Sequence, residues 1–463
     1  MMEHRPGVKG KLLGVMENGK TFYAVILAGV LVRIGALIAL APTRLFSDAM
    51  AYHAFARRLA YGETFRPAWP PGLPLLLAGP YALFDPDRMV ARFVMLGVYV
   101  VFAVLLFLLV KRLSGTAAAN LSALIFSFYP LCIYYSLTPL TQLVTAALLV
   151  GVALAMFYLL GKNRWPVAVA LGFLLGFLTL TRASCTLILL AVPAYFILRK
   201  GYRLKAGVVF VIAILPVVLW CYSVYRVTDR VVFVNTANAK NFFIGNNEYT
   251  PLYKTWYFGS HNARIDDEGL IAEGYLNTER TIRDYPKYER QSRYIEYSVR
   301  YIMNAPHLFA LRTFNRVRVF FAFDTYLCIV LYRFYNWSQT SAFLSCAFDL
   351  LIYLILLLST VVSLFFVRPL FREKGASKVL LGIPLLYALP YFSAFSHPTY
   401  HFPVVPFLSV FFSVFVVDLI KRRETVISRM KTSGRIKLAI FGVAVVFLIL
   451  IQVEWFIAII GPV

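Results

Sequence analysis

The sequence is poor in charge and poorer still in acid. Of 463 residues only 15% are charged, and 22 Asp and Glu stand against 46 Lys and Arg. A soluble domain carries about 25% charged and about 45–50% apolar residues, whereas AVILMFWYC make up 60% here. That excludes a disordered chain and an ordinary soluble enzyme. Cysteine is scarce as well. Cys132, Cys185, Cys221, Cys328 and Cys346 form no CxxC pair and fall mostly in apolar runs. No disulfide framework or cysteine metal site is visible, and they read as small core residues. Internal repeats and low-complexity tracts are missing too.

Long apolar runs are what the sequence has. Eleven read as spans: 21–42, 93–110, 116–136, 139–160, 165–181, 184–198, 206–224, 341–366, 378–395, 402–420 and 436–458. Several approach the ~20 residues a bilayer needs. The expected fold class is an all-α polytopic membrane protein with about eleven transmembrane helices and additional juxtamembrane helices. The net charge of +24 sits mainly in short loops, such as Lys111–Arg112, Lys162–Arg164, Arg199–Lys205 and the run from Lys421 to Lys437. By the positive-inside rule these loops face the cytoplasm, the N-terminus is inside and the C-terminus outside. The basic excess then reads as topology signal and lipid headgroup contact, not nucleic-acid binding.

Three parts follow: residues 1–224, a transmembrane module with an outer loop at 43–92; residues 225–340, an outer extramembrane or juxtamembrane layer; and residues 341–463, the closing transmembrane helices. The middle part mixes acids and bases, as in RIDDEGLIAEGYLNTERTIRDYPKYERQSRYIEYSVRYI, the pattern of a folded surface layer. The stretch 319–334 is short and holds Asp324, so it reads as an interfacial or re-entrant helix.

The first outer loop carries the main candidate. In SDAMAYHAFARRLAYG, Ser47 is placed to cap a helix and Asp48 falls in its first turn, where the helix dipole favours a carboxylate. Asp48, Tyr52, Phe55 and Leu59 share one face, and Pro70, Pro71 and Pro74 stiffen the entry to the next helix. Asp48 is either a first-turn acid that steadies a surface helix or a general base or metal ligand at the bilayer edge.

This loop resembles the first periplasmic or luminal loop of GT-C glycosyltransferases of the protein-mannosyltransferase and lipid A aminoarabinose-transferase kind. The shared pattern is Asp48, Tyr52, Gly62 and Pro70-Pro71-Gly72. It continues in SALIFSFYPLCIYYSLTPLTQL (122–143), GFLLGFLTLTRASCTLILL (172–190), the segment 215–247 that ends in Gly-Asn-Asn, IMNAPHLFALRTFNRVRVFF (302–321) and HPTYHFPVVPFL (397–408). The resemblance implies a GT-C fold and transfer of a sugar from a polyprenyl-phosphate donor, generally with inversion, with Asp48 activating the acceptor hydroxyl. The implied partners are the lipid-linked sugar donor, a lipid, glycan or protein acceptor and the bilayer. The implied place is a bacterial or archaeal plasma membrane with the site facing outside. The sequence departs from the pattern at Ala68-Trp69, where the aminoarabinose branch has Glu-Lys, at Gln142, where many relatives have Glu, and at Thr399, where the family has Arg. The family's metal-binding Glu and phosphate-facing Lys therefore do not carry over. No cofactor is implied with certainty, and a divalent metal is left unsupported.

Candidates for substrate contact are Tyr52, Arg66, Arg182, Asn246, His397, Tyr400 and His401. Arg182 ends the fifth span and reads as a snorkelling cation or a phosphate ligand. Arg66 could replace the missing Lys. His397 and His401, four apart, leave donor contact, packing and metal binding open. Gly245-Asn246-Asn247 reads as a plain turn or a substrate-touching one. A transporter, a lipid-linked-glycan polymerase or ligase and a non-catalytic relative are the rival classes. Transporters place ionisable groups at mid-membrane, and here Arg33 and Asp349 are the few obvious ones.

Overall fold

In an apolar medium every backbone N–H and C=O must find its partner within the protein, which makes helices the solution for long Leu, Val, Phe and Ala runs. A computed structural model describes residues 8–460 except 41–44, 46, 66, 251, 253–268, 287–288, 368–370 and 374, and among these residues there are helices and no strand. In chain order they are α1 (Val8–Glu17), α2 (Lys20–Leu40), α3 (Ser47–Ala60), α4 (Gly72–Phe84), α5 (Arg88–Ser114), α6 (Thr116–Phe128), α7 (Pro130–Tyr135), α8 (Thr141–Lys162), α9 (Trp165–Thr181), α10 (Thr186–Ile197) and α11 (Arg203–Thr228). Then come α12 (Ala237–Gly245), α13 (Gly269–Asp284), α14 (Arg290–Asn304), α15 (Pro306–Phe321), α16 (Tyr326–Phe334), α17 (Gln339–Val362), α18 (Ala376–Ser393), α19 (Val405–Lys431) and α20 (Arg435–Ile460).

Among the described residues eight helices are long and apolar enough to cross a membrane: α2, α5, α8, α11, α17, α18, α19 and α20. This is an integral, multi-pass α-helical membrane protein. The three other expected spans, 116–136, 165–181 and 184–198, fall on the shorter apolar helices α6–α7, α9 and α10. α8 is the centre of the bundle and is buried on nearly every side, whereas α20 lies at its edge. α9 and α11 pack backbone to backbone. A Cβ added at Gly176 would stand 2.5 Å from Ala213 O, and one at Gly172 would stand 2.8 Å from Val209 O. Small residues four apart permit this close crossing.

The stretch 116–136 is not one span, because Pro130 interrupts it between α6 and α7. Proline has no N–H, so Phe126 O loses its helical donor. Arg33 of α2 replaces it: its Nη2 donates to Phe126 O (3.0 Å), and its Nη1 donates to Ser127 O and Gly29 O (2.9 Å each). On the other side of the break, Leu131 N–H donates to Asp349 Oδ1 of α17 (3.1 Å) and Tyr129 hydroxyl to Oδ2 (3.3 Å). Arg33 and Asp349 thus serve one helix break, and Arg33 ties α2 into the bundle.

The 225–340 part folds as α12–α16. A satellite core of Phe243, Ile244, Ile282 and Tyr294 joins α12, α13 and α14. Glu279 of α13 bridges Lys240 of α12 (2.5 Å) and Arg283 (2.6 Å). Burial alone would make the carboxyl a weaker acid, but the two cations outweigh it and hold its pKa below the usual range.

Candidate functional site

The site grows from α3. Asp48 lies exposed in its first turn, and Tyr52 lies one turn on, 5% exposed. Burial is the main reason that the Tyr52 phenol is held far above its usual range. The Asp48 carboxylate adds to this, while the Arg182 guanidinium and a hydrogen bond with the Thr141 side chain oppose it. One phenol thus stands in the fields of both a carboxylate and a guanidinium. The Asp48 charge also reaches Tyr326 of α16 and Tyr400 of the short turn before α19. The Trp69 ring packs on Tyr52 at 5.6 Å between centroids and forms part of the tyrosine's wall.

Gly72 explains the Pro-Pro-Gly element. A Cβ there would lie 2.6 Å from both the Cα and the N of Thr181. Only glycine lets the start of α4 rest on the last residue of α9. The next residue is Arg182, whose Nη1 donates to the Tyr391 hydroxyl of α18 at 2.6 Å, with Ser184 Oγ 3.0 Å from that hydroxyl. Arg182 also lies over the Tyr400 ring at 5.4 Å, and Tyr400 stacks on Tyr391 at 4.7 Å. Its Nε is buried and has no hydrogen-bond partner among the described residues, and neither has Gln142 Oε1 in the first turn of α8. A buried cation with an unspent donor is suited to an anion.

The other candidates divide. Arg66 lies outside the described residues, as does the side chain of Ser47. His397 Nδ1 is 2.9 Å from Thr399 Oγ1 and accepts from Thr399 N–H at 3.2 Å, and burial holds the ring down to about 4. It is therefore neutral, and its ring lies 6.1 Å from that of Tyr400. His401 faces elsewhere: Nδ1 is 3.0 Å from Phe320 O, and the ring stacks on Tyr353 at 4.4 Å. The two histidines do not converge. Asn246 is buried: its Nδ2 donates to Phe242 O and Ser393 O (3.0 Å each), and its Oδ1 accepts from Arg316. Arg316 also donates to Gly245 O, and Arg312 to Asn247 O at 2.8 Å. The Gly-Asn-Asn turn is thereby clamped to α15, with the Asn246 amide committed to the clamp. Sequence reading missed Tyr391 and Tyr326. Nothing in their local sequence marks them, since only the packing of α16 and α18 brings them in.

No group of three or more His, Cys, Asp or Glu among the described residues is placed to hold a metal ion. Ala68 and Trp69 stand where the aminoarabinose-transferase branch has Glu and Lys, so that branch's metal-binding Glu has no counterpart at this position.

The fold is that of a multi-pass membrane protein in which Tyr52 of α3 stands near Thr141 of α8 and Arg182 after α9, and Arg182 bonds Tyr391 of α18. Residues 68–224 match the family model described as dolichyl-phosphate-mannose-protein mannosyltransferase. The match takes in Pro70-Pro71-Gly72, Gln142 and Arg182, while Asp48 and Tyr52 precede it and Tyr400 follows it. No curated protein matches the sequence. Among solved structures, the archaeal oligosaccharyltransferase AglB from Archaeoglobus fulgidus, in complex with an inhibitory peptide and a dolichol-phosphate, is 14% identical with a TM-score of 0.48 over 93% of this chain and 54% of that one. ArnT from Cupriavidus metallidurans, bound to undecaprenyl phosphate, is 16% identical with a TM-score of 0.41 over 84% of this chain and 76% of that one. The chain spans about half the length of the oligosaccharyltransferase.

Proposed function

We propose that this protein is a GT-C glycosyltransferase that moves a sugar from a polyprenyl-phosphate donor to an acceptor hydroxyl at the outer membrane face. The observation that carries the reading is the Tyr52 phenol, which feels the Asp48 carboxylate and the Arg182 guanidinium together. An exposed carboxylate suits a general base, and a buried cation with a free N–H suits a leaving phosphate. In the proposed step Asp48 takes the proton from the acceptor hydroxyl. The acceptor oxygen bonds to the sugar's anomeric carbon, the bond from that carbon to the phosphate oxygen breaks, and the electron pair leaves with the polyprenyl phosphate. Arg182 would stabilise that charge, with Arg66 as a second cation, and Tyr52 and Tyr400 would line the sugar and phosphate path. Asn246, His397 and His401 would hold the surrounding turns in place. The match over residues 68–224 supports the donor class.

The test is native mass spectrometry of wild type and Asp48→Asn with co-purifying and added polyprenyl phosphates, together with a transfer assay. A bound polyprenyl-phosphate sugar that accumulates in Asp48→Asn supports the reading. Normal transfer by a correctly inserted Asp48→Asn overturns the role of Asp48. Failure to bind any polyprenyl phosphate overturns the donor class and puts transport or a non-catalytic role ahead.

A further inference from the structure

A helix hairpin brings Cys328 and Cys346 together. Its connector, 335–338, reverses the chain: Trp337 N–H donates back to Leu331 O at 3.1 Å, and Ser338 Oγ caps α17 by accepting from Ser341 N–H at 3.1 Å. α16 and α17 then pack on each other. Cys328 stands six residues before the end of α16, and Cys346 seven after the start of α17. At about 1.5 Å of rise per residue the two share one level of the hairpin.

Their faces agree as well. Ala342, Cys346, Asp349 and Tyr353 lie on the buried side of α17 at helical spacing. Leu327, Val330 and Leu331 are the buried side of α16, and Cys328 lies at its rim, half-buried and packed against the same core. The side chains meet there: a hydrogen bond with Cys346 holds the Cys328 thiol below its usual range, against the opposing effect of burial. A lowered thiol is more often the reactive thiolate. All five thiols are free, but Cys132 accepts from Arg33 Nη2 at 3.4 Å and Cys185 is engaged by Ser184. A half-buried thiol with a second thiol in contact has the makings of an attacking and a resolving cysteine.

We propose that Cys328 and Cys346 are a redox modification site, at which an incoming organic disulfide converts the two thiols to an intramolecular disulfide that staples α16 to α17. The Cys328 thiolate attacks one sulfur of the reagent, and one thiolate leaves. Cys346 gives up its proton and attacks Cys328 Sγ, which breaks the mixed bond and releases the second thiolate. The two cysteines lose two electrons and two protons, and the reagent takes up both as two thiols. The bond fixes α16 at the helix that opens with Tyr326, whose phenol lies in the field of the Asp48 carboxylate. The chemistry is independent of the transferase reading.

The test uses the full-length protein in lipid nanodiscs, reduced and then treated with 4,4′-dithiodipyridine, a neutral disulfide that enters apolar surroundings. Released thiopyridone is followed, and peptides are mapped by mass spectrometry without reduction. Wild type is expected to yield a linked Cys328–Cys346 peptide pair with no pyridyl adduct on either residue, and dithiothreitol should reverse the link. Cys346→Ala should hold a stable pyridyl adduct at Cys328, because the resolving thiol is gone. It should release half as much thiopyridone from this site as wild type. The linked wild type should melt at a higher temperature than the reduced form. A stable pyridyl adduct at Cys328 in wild type overturns the proposal, since Cys346 then fails to reach it. So does a Cys328 left unmodified, or one linked to any other cysteine. A linked form that melts no higher than the reduced one overturns the staple.

Discussion

Arg33 and Asp349 make no ion pair among the described residues, yet they serve the same interruption of the chain, from opposite sides. Arg33 donates to the carbonyls of Phe126 and Ser127, and Asp349 accepts from Leu131 N–H. Pro130 creates both needs. The Arg33 guanidinium also covers the Tyr99 ring at 3.4 Å, so the charge is held by carbonyl dipoles, a hydroxyl and an aromatic face. Ionisable residues within a membrane often mark a transport path, but here both bond backbone groups that the helix break leaves open.

Substitution at Arg33 should therefore unfold before it impairs chemistry. Arg33→Leu strands buried carbonyls and leaves a break without a cap, a loss of about 3–5 kcal/mol. Asp349→Asn keeps an acceptor for Leu131 N–H and should cost less than Asp349→Leu. Thermal unfolding in detergent or nanodiscs reads both. Equal midpoints for Arg33→Leu and wild type would remove the capping argument.

Arg182 should behave differently. Arg182→Lys keeps the charge but cannot hold Tyr391 and present a second N–H at once. Transfer is expected to fall about 10²–10³-fold, mostly in kcat, as when a transition-state donor is lost. The far-ultraviolet spectrum and thermal midpoint should stay near wild type. A steady-state assay with a stability control checks the split.

Gly72→Ala tests the α4–α9 contact. The added Cβ would fall 2.6 Å from the Thr181 backbone, so α4 must back away from the corner that carries Arg182. Overpacking of this sort costs about 1–3 kcal/mol. The midpoint should drop, and transfer should fall by more than the folded fraction accounts for.

Asp324 gives a pH signature. It is buried without a cation partner among the described residues. It accepts from the Tyr135 hydroxyl (3.1 Å) and Tyr326 N–H (2.8 Å), and burial pushes it up to about 6. An unfolded aspartate titrates near ~3.9. Between those values the folded protein keeps a proton that the unfolded chain has lost, so stability falls as pH rises through this window and levels off above about 6. Asp324→Asn removes that slope. Relative to the variant, wild type should lose on the order of 3 kcal/mol between acid and neutral pH. Unfolding of both proteins across this range decides it, and parallel curves would contradict the buried acid.

The sequence by itself determined the class. Apolar runs of membrane length favour helices, which satisfy the backbone within one segment, and among the described residues eight of the eleven expected spans fall on helices long enough to cross while the other three fall on shorter apolar helices. The sequence placed Asp48 and Tyr52 one turn apart on a helix, where the resemblance makes them candidates, and it showed the Pro-Pro-Gly element, because proline and glycine act locally. The break at Pro130 was open to reading from one residue, but its caps were not, since they come from α2 and α17. Tyr326 and Tyr391 escaped for the same reason: a tyrosine's role here depends on which charge the packing sets beside it. For His401 and Asn246 the sequence left substrate contact and a purely structural role both open, and in the fold they bond Phe320 and Arg316. The strained turn at Val234, held at φ +60°, carried no signal at all. Trp220 and Pro67 hold it from two distant parts of the chain, and only tertiary contact can sustain such strain.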